Sequence, residues 1–210
     1  MALRERAAVD AIRRDPGGHR TRQRNSENAP HYGQYNRPVA SPSGSVAAHK
    51  AEAPPSVRCY VLTVSDTRTV QNDTSGLAIR DLLVTAGHHV TGYGIVRDDP
   101  SQVARAVREQ LSETDVQVVI TTGGTGITSR DGTFEAIDGL LDKRLEGFGE
   151  LFRMISFHDI GPAAMLTRAT AGTIGRKAIF VLPGSEHAVR LAMTRLIVPE
   201  LGHVVQQLSK

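Results

Sequence analysis

From Val57 onward, apolar residues come in short runs separated by polar turns. Arg58–Val64 and residues 116–121 are rich in β-branched side chains and nearly continuous in hydrophobicity, the pattern of strands buried on both faces. His89–Val96 reads as another strand. Residues 169–174 and 177–182 read as a strand pair turning at Gly175-Arg176. Between the strands the apolar period changes to that of a helix. Residues 75–86 place Leu77, Ile79, Leu82 and Leu83 near one face, with Gly87 as a stop. Residues 100–111 turn Val103, Ala106, Val107 and Leu111 inward. Further helical segments are expected near 133–141, 147–157 and 162–168. Another is capped by Ser185 and runs to about Leu196, and a last one begins near Pro199. The alternation predicts an α/β fold of three layers, a mostly parallel sheet with helices on both faces. In such folds ligands bind at the carboxyl ends of the strands.

Residues 1–56 break this pattern. They hold Pro, Gly, Ser, Asn and Arg with few large apolar side chains, too little to offset the entropy of ordering them. The expectation is a disordered, arginine-rich extension, with at most a short helix over residues 3–14, ahead of one domain over 57–210. Charge follows the same boundary. The extension has nine Lys/Arg against five acids, so the overall +3 becomes +4 in the extension and −1 in the domain. The basic character therefore says nothing about the domain's ligand. No export signal is read at Arg13-Arg14, because no apolar segment follows. No apolar stretch approaches the ~20 residues that span a bilayer. Aromatics are 4% of the chain and Trp is absent, which disfavours stacking on single-stranded nucleic acid. The single cysteine, Cys59, lies in a strand and suits a buried thiol in a reducing, cytoplasmic setting.

The richest chemistry lies in residues 121–131, T-T-G-G-T-G-I-T-S-R-D, where a strand hands over to a helix that Thr133 can cap. Glycines let backbone N–H groups approach a ligand, and a concave set of them binds anions. The loop lacks the lysine of a Walker A motif and the third glycine of a dinucleotide fingerprint. Three more loops are expected at the same end: residues 63–68 with 73–76 beyond them, 96–100, and 183–185. Several helix N-termini facing one cleft suit a polyphosphate. Asp98 and Asp131 would repel it unless Mg²⁺ sits between. Taken alone, Asp98 or Asp99 would be read as a helix cap, and Asp131 likewise. His88-His89 cannot easily chelate one ion, because neighbours on a strand point to opposite faces.

These residues carry a family resemblance. V-L-T-V-S-D at 61–66, D-T-S-G at 73–76, T-T-G-G-T-G at 121–126, Arg130-Asp131, E-G-F-G-E-L-F-R-M-I-S-F at 146–157 and L-P-G-S at 182–185 resemble the MoaB/Mog family of molybdenum cofactor biosynthesis proteins over roughly 57–205. The resemblance implies a molybdopterin-binding domain, usually trimeric or hexameric, that can work beside other proteins of the pathway. Active members adenylylate molybdopterin with Mg-ATP and release pyrophosphate, while some MoaB-type members lack the acids and only bind. Asp98 and Asp131 match the family's acids and would be catalytic and hold Mg²⁺. Gly123, Gly124, Thr125 and Gly126 would hold the pterin-side phosphate. Ser65, Asp66, Ser75, Gly76, Pro183, Gly184 and Ser185 would line the substrate pocket. One departure is local: the family's R-D-x-T-P-E-A reads R-D-G-T-F-E-A here, with Phe134 in place of a helix-starting proline.

Overall fold

The computed structural model describes residues 50–210, together with Gly44 and Ala47. The expected disorder of the extension and its short helix over residues 3–14 lie, those few residues aside, outside the described residues.

Strand β1 (Arg58–Val64) leads through helix α1 (Thr74–Thr85) to β2 (His89–Val96), and α2 (Pro100–Ser112) leads to β3 (Val118–Thr122). A short α3 (Thr133–Asp138), the two-residue β4 (Lys143–Arg144) and the long α4 (Glu146–Ile160) follow. A 3₁₀ segment (Gly161–Leu166), the hairpin β5 (Thr170–Ile174) and β6 (Lys177–Leu182), then α5 (Glu186–Ala192), a π turn (Met193–Ile197) and α6 (Val198–Ser209) complete the order. The six strands form one sheet in the order β2-β1-β3-β6-β5-β4. The first four run parallel, and β5 and β4 pair antiparallel at the edge.

Strand alternation divides the core into two layers. Val61, Ile120 and Phe180 point to one face, against Ile79 and Leu83 of α1, Phe152 of α4 and Leu201 of α6. Leu62, Val119 and Ile179 point to the other, against Val103 and Val107 of α2 and Ile137 of α3. Helices α1 and α2 thus cover opposite faces, because the crossover from β1 to β2 and that from β2 to β3 run in opposite directions along the sheet. The strand order 2-1-3 therefore reverses between β1 and β3, and this is where open α/β sheets leave a crevice.

The predicted architecture is present, with local corrections. Leu77, expected inward, is exposed; α1 buries Ser75, Gly76, Ala78, Ile79 and Leu83 instead. Its first turn lies so close to the strand ends that only small residues fit beneath it. Thr133 does not cap α3 with its side chain. It is the first helical residue, and no side-chain bond caps this helix. Strand β4 is too short to show a period and exists only through its pairing with Gly172 and Thr173 of β5. Residues 50–56 pack on α6: Lys50 pairs with Glu200, and Gln206 donates to Glu52 at 2.8 Å. A Cβ on Gly202 would come within 2.9 Å of the Pro54 carbonyl, so this segment can cross α6 only at a glycine. No helix among the described residues is long and apolar enough to cross a membrane.

Candidate functional site

The four predicted loops meet at the carboxyl ends of β1, β2, β3 and β6. Backbone and side-chain bonds lock them together. The Ser65 amide donates to the Val96 carbonyl at 2.9 Å, and the Gly123 amide to Leu182 at 3.1 Å. The Thr122 hydroxyl donates to the Pro183 carbonyl and Ser75 to the Gly184 carbonyl, each at 2.8 Å. Gly123 (φ 101°) and Gly124 (φ 65°) take conformations that L side chains rarely adopt. A Cβ on Gly123 would lie 2.1 Å from the Val64 carbonyl oxygen, so the loop passes directly against the end of β1.

The loops enclose two connected spaces. An open groove of about 860 Å³ is lined by Ser65, Asp66, Arg68, Tyr93 and Arg97, among others. A small polar cavity of about 60 Å³ lies deeper, between Ser65, Arg68, Asp73, Ser75, Gly123 and Gly184. Ser65 and Arg68 line both. The Ser65 hydroxyl accepts from the amides of Thr67 and Arg68, each at 3.2 Å, and so shapes the turn that presents this arginine. Asp66 is tied to Arg97 and Arg130 at the groove's rim. Gly76 and Ser185, both predicted to line the pocket, are committed locally. The Gly76 amide donates to Asp73 at 3.0 Å, and the Ser185 hydroxyl caps α5 by accepting from Ala188 at 3.3 Å.

Two acids, Asp98 and Asp131, flank the glycine loop. Asp99, not Asp98, caps α2, accepting from the Gln102 amide at 2.9 Å. Asp98 is left facing the loop, with the Thr133 hydroxyl at 3.5 Å. Asp131 folds back on its own loop and accepts from the Thr128 amide at 2.9 Å and hydroxyl at 2.5 Å. The two carboxyls are driven apart electrostatically. Burial, then the nearby charges of Asp131 and Asp66, push Asp98 above its ordinary value, against the Gly132 amide and Thr133. The Thr128 hydroxyl, joined by the amides of Thr128 and Gly126 and by Arg168, holds Asp131 below its own despite some desolvation.

Four residues were not among the candidate site residues read from the sequence, although Thr133 was read as a helix cap. Asp73 is buried and accepts from Thr63 at 2.6 Å and Tyr93 at 2.5 Å. Arg68 is the cation common to both spaces. Its position four residues beyond the end of β1 was the available signal. Thr133 joins the loop to Asp98, and its amide donates to the Gly124 carbonyl at 3.0 Å. Arg168 reaches the loop from just before β5, and nothing local in the sequence points to it. Among the described residues there is no group of three or more His, Cys, Asp and Glu placed to hold a metal ion.

Comparison with known proteins agrees with this geometry. Residues 60–203 match the family described as probable molybdopterin binding domain. Molybdenum cofactor biosynthesis protein B of Bacillus cereus is 56% identical over 167 residues, 79% of this chain and 99% of that protein. A crystal structure of a molybdenum cofactor biosynthesis protein B superposes with a TM-score of 0.73 at 57% identity, covering 75% of this chain and 99% of the other. The tungsten cofactor synthesizing protein MoaB from Pyrococcus furiosus does so with a TM-score of 0.68 at 41% identity, over 75% and 100%. The strand order, the glycine loop against β1 and these likenesses lead to one conclusion: the chain belongs to the MoaB/Mog family of molybdenum cofactor biosynthesis proteins.

Proposed function

We propose that this protein is a molybdopterin adenylyltransferase. An oxygen of molybdopterin's terminal phosphate attacks the α-phosphorus of ATP. The bond from that phosphorus to the β-phosphate oxygen breaks, and pyrophosphate leaves. The observation that carries this reading is the pair Asp98 and Asp131, set on either side of an anion-binding glycine loop and unequal in acidity. Like charges beside a phosphate seat are costly unless a cation joins them.

The donor set suits Mg²⁺ brought by a nucleotide. Mg²⁺ commonly takes one or two carboxylates and fills its remaining positions with phosphate oxygens and water. Asp98 and Asp131 would hold it, and it would neutralise charge on the phosphates. The chain's own residues do the remaining work. The Gly124 amide would face the pterin-side phosphate, with Arg68 as the fixed positive charge, while the Gly123 amide, which donates to Leu182, anchors the loop to β6 instead of meeting the phosphate. Ser65, Ser75, Pro183 and Gly184 bound the seat, and Thr125 and Gly126 set the curvature of the loop. No covalent intermediate is needed, because positioning and charge neutralisation suffice for phosphoryl-type transfer.

The test is formation of adenylyl-molybdopterin by wild type, Asp98→Ala and Asp131→Ala, with pyrophosphate release as the second readout. Each variant is expected to lose roughly 10²–10³-fold in rate, the scale of removing one charge-stabilising group. Wild-type turnover in both would refute the mechanism.

A second reading has its own support. The relatives above are named molybdenum cofactor biosynthesis protein B or MoaB, the side of the family in which the binding-only members fall. A binding-only protein would hold molybdopterin without ATP-dependent pyrophosphate release, and the same assay separates the two. Self-association as a trimer or hexamer is part of the proposal. It would cover the exposed row of Leu151, Met154, Phe157 and Met165 on α4 and the 3₁₀ segment, and mass measurement in solution tests it. A cytoplasmic location, with its ATP supply, completes the reading.

A further inference from the structure

Arg168 is half-buried and spends its donors inside the protein. A guanidinium carries five N–H groups and accepts nothing. Here Nε donates to the Thr125 carbonyl at 3.0 Å, and Nη2 to the Asp131 carbonyl at 3.2 Å. The remaining contacts go to Glu135, one through Nη1 and one through Nη2 at 3.3 Å. The ring of Phe134 lies 5.2 Å from the guanidinium carbon, in a cation–π arrangement. That phenylalanine stands where the family pattern has proline, so this support is a property of this chain. An arginine so occupied has little left to offer a substrate.

The carbonyls it holds are informative. Every peptide bond among the described residues is trans, so a carbonyl and the following N–H point in opposite directions across one plane. Fastening the Thr125 carbonyl fixes the Gly126 peptide, which lies directly against the Asp131 carboxylate and helps hold that group below its ordinary value. Fastening the Asp131 carbonyl fixes the Gly132 amide, which faces the Asp98 carboxylate, and leads into Thr133, whose hydroxyl meets that carboxylate at 3.5 Å. Two peptide planes thus connect a single guanidinium to both acids of the site. Neither plane can be stiffened by a bulkier residue. A Cβ on Gly126 would lie 2.6 Å from the Asp131 carboxylate, and one on Gly132 would lie 2.5 Å from Pro100.

We infer that Arg168 is a positioning residue: by holding the carbonyls of Thr125 and Asp131 it aims the Gly126 and Gly132 amides, and through them sets the placement of Asp131 and Asp98. Glu135 and Phe134 keep the guanidinium in plane. The consequence for turnover rests on the adenylyl-transfer reading, but the clamp itself does not.

The test uses the full chain, ligand-free, as wild type, Arg168→Met and Arg168→Lys. Amide hydrogen exchange at Gly126 and Gly132 is measured by NMR, with β1 and β3 amides as the reference. In Arg168→Met, exchange at both glycines is expected to rise about tenfold or more, the scale of losing a charge-assisted hydrogen bond, with the strand amides unchanged. Arg168→Lys, a point charge that cannot span two carbonyls, is expected to recover only part of the protection. It decides the matter if the methionine variant does not fold. Mn²⁺ binding, followed by electron paramagnetic resonance, is expected to weaken about tenfold in parallel. In adenylyl transfer, kcat should fall with the KM for ATP nearly constant. Unchanged exchange at both glycines, or a rise equal to that of the strands, would overturn the clamp. A wild type that makes no adenylylated pterin overturns only the proposed reaction, and the exchange result still decides the role of Arg168.

Discussion

Replacing Gly123 with alanine tests how tightly the glycine loop is seated on the sheet. Two costs are expected, and Gly87 separates them. Gly87 also has a positive φ, 83°, but a Cβ there meets nothing within 4 Å. Gly87→Ala therefore carries only the backbone strain, about 1–3 kcal/mol. Gly123→Ala carries similar strain at φ 101° and adds a Cβ 2.1 Å from the Val64 carbonyl oxygen. Ordinary contact is about 3.5 Å, so the loop and β1 must separate by more than an ångström. The obstacle is backbone, and no rotamer change relieves it. Overpacking of this kind adds about 1–3 kcal/mol. At roughly 2–4 °C per kcal/mol for a domain this size, Gly123→Ala should melt about 2–12 °C below Gly87→Ala. Thermal unfolding followed by circular dichroism measures both. Molybdopterin binding should fall in the first variant and stay unchanged in the second. A Gly123→Ala protein at least as stable as Gly87→Ala would show that the loop does not bear on β1 as described.

Other outcomes follow from single sites. Burial pushes Asp73 up, but the Gly76 amide, the Thr63 and Tyr93 hydroxyls and Arg68 outweigh it, so its carboxyl lies below the ordinary 3.8. A depressed carboxyl stabilises the fold above the unfolded value and loses that contribution as pH falls through the folded one. Asp73→Asn should thus flatten part of the stability loss below about pH 4, seen in urea unfolding across pH 2–7; an unchanged acid limb would count against the network. Burial pushes the Cys59 thiol up to about 12, so it should resist a thiol reagent at pH 8 until the protein is unfolded. A chain begun at residue 57 should melt below one begun at residue 50, because the contacts of Lys50 and Glu52 with α6 are gone. Equal midpoints would mean that this segment only rests on the helix.

Much of the fold was readable because each strand and helix carries its own period. Val103 and Val107 announce the inner face of α2, and Leu182-Pro183-Gly184-Ser185 announces the end of β6 and the cap that follows. The loops of the site were readable for the same reason, since strand ends and helix starts are local. What stayed hidden depends on distant parts of the chain. Asp98 and Asp99 are equal as letters, and only the direction in which α2 leaves β2 makes the second a cap and leaves the first facing the loop. Arg168 is 37 residues from Asp131 and meets it only because β5 doubles back on β6. Leu77 misled because helical spacing shows which residues share a face but not how near that face's neighbours lie.

The glycine at 202 also has a practical consequence. The segment from residue 50 crosses α6 there and enters the base of β1, while the cleft opens at the strands' other end. Lys50 meets Glu200, and Glu186 begins the continuous helical run that carries it. At 1.5 Å per residue, that contact lies roughly 20 Å below the mouth of the site. A fluorophore, tag or fused domain attached through residue 50 is therefore tethered away from the substrate. Such an attachment gives a way to immobilise or image the protein with its cleft left open.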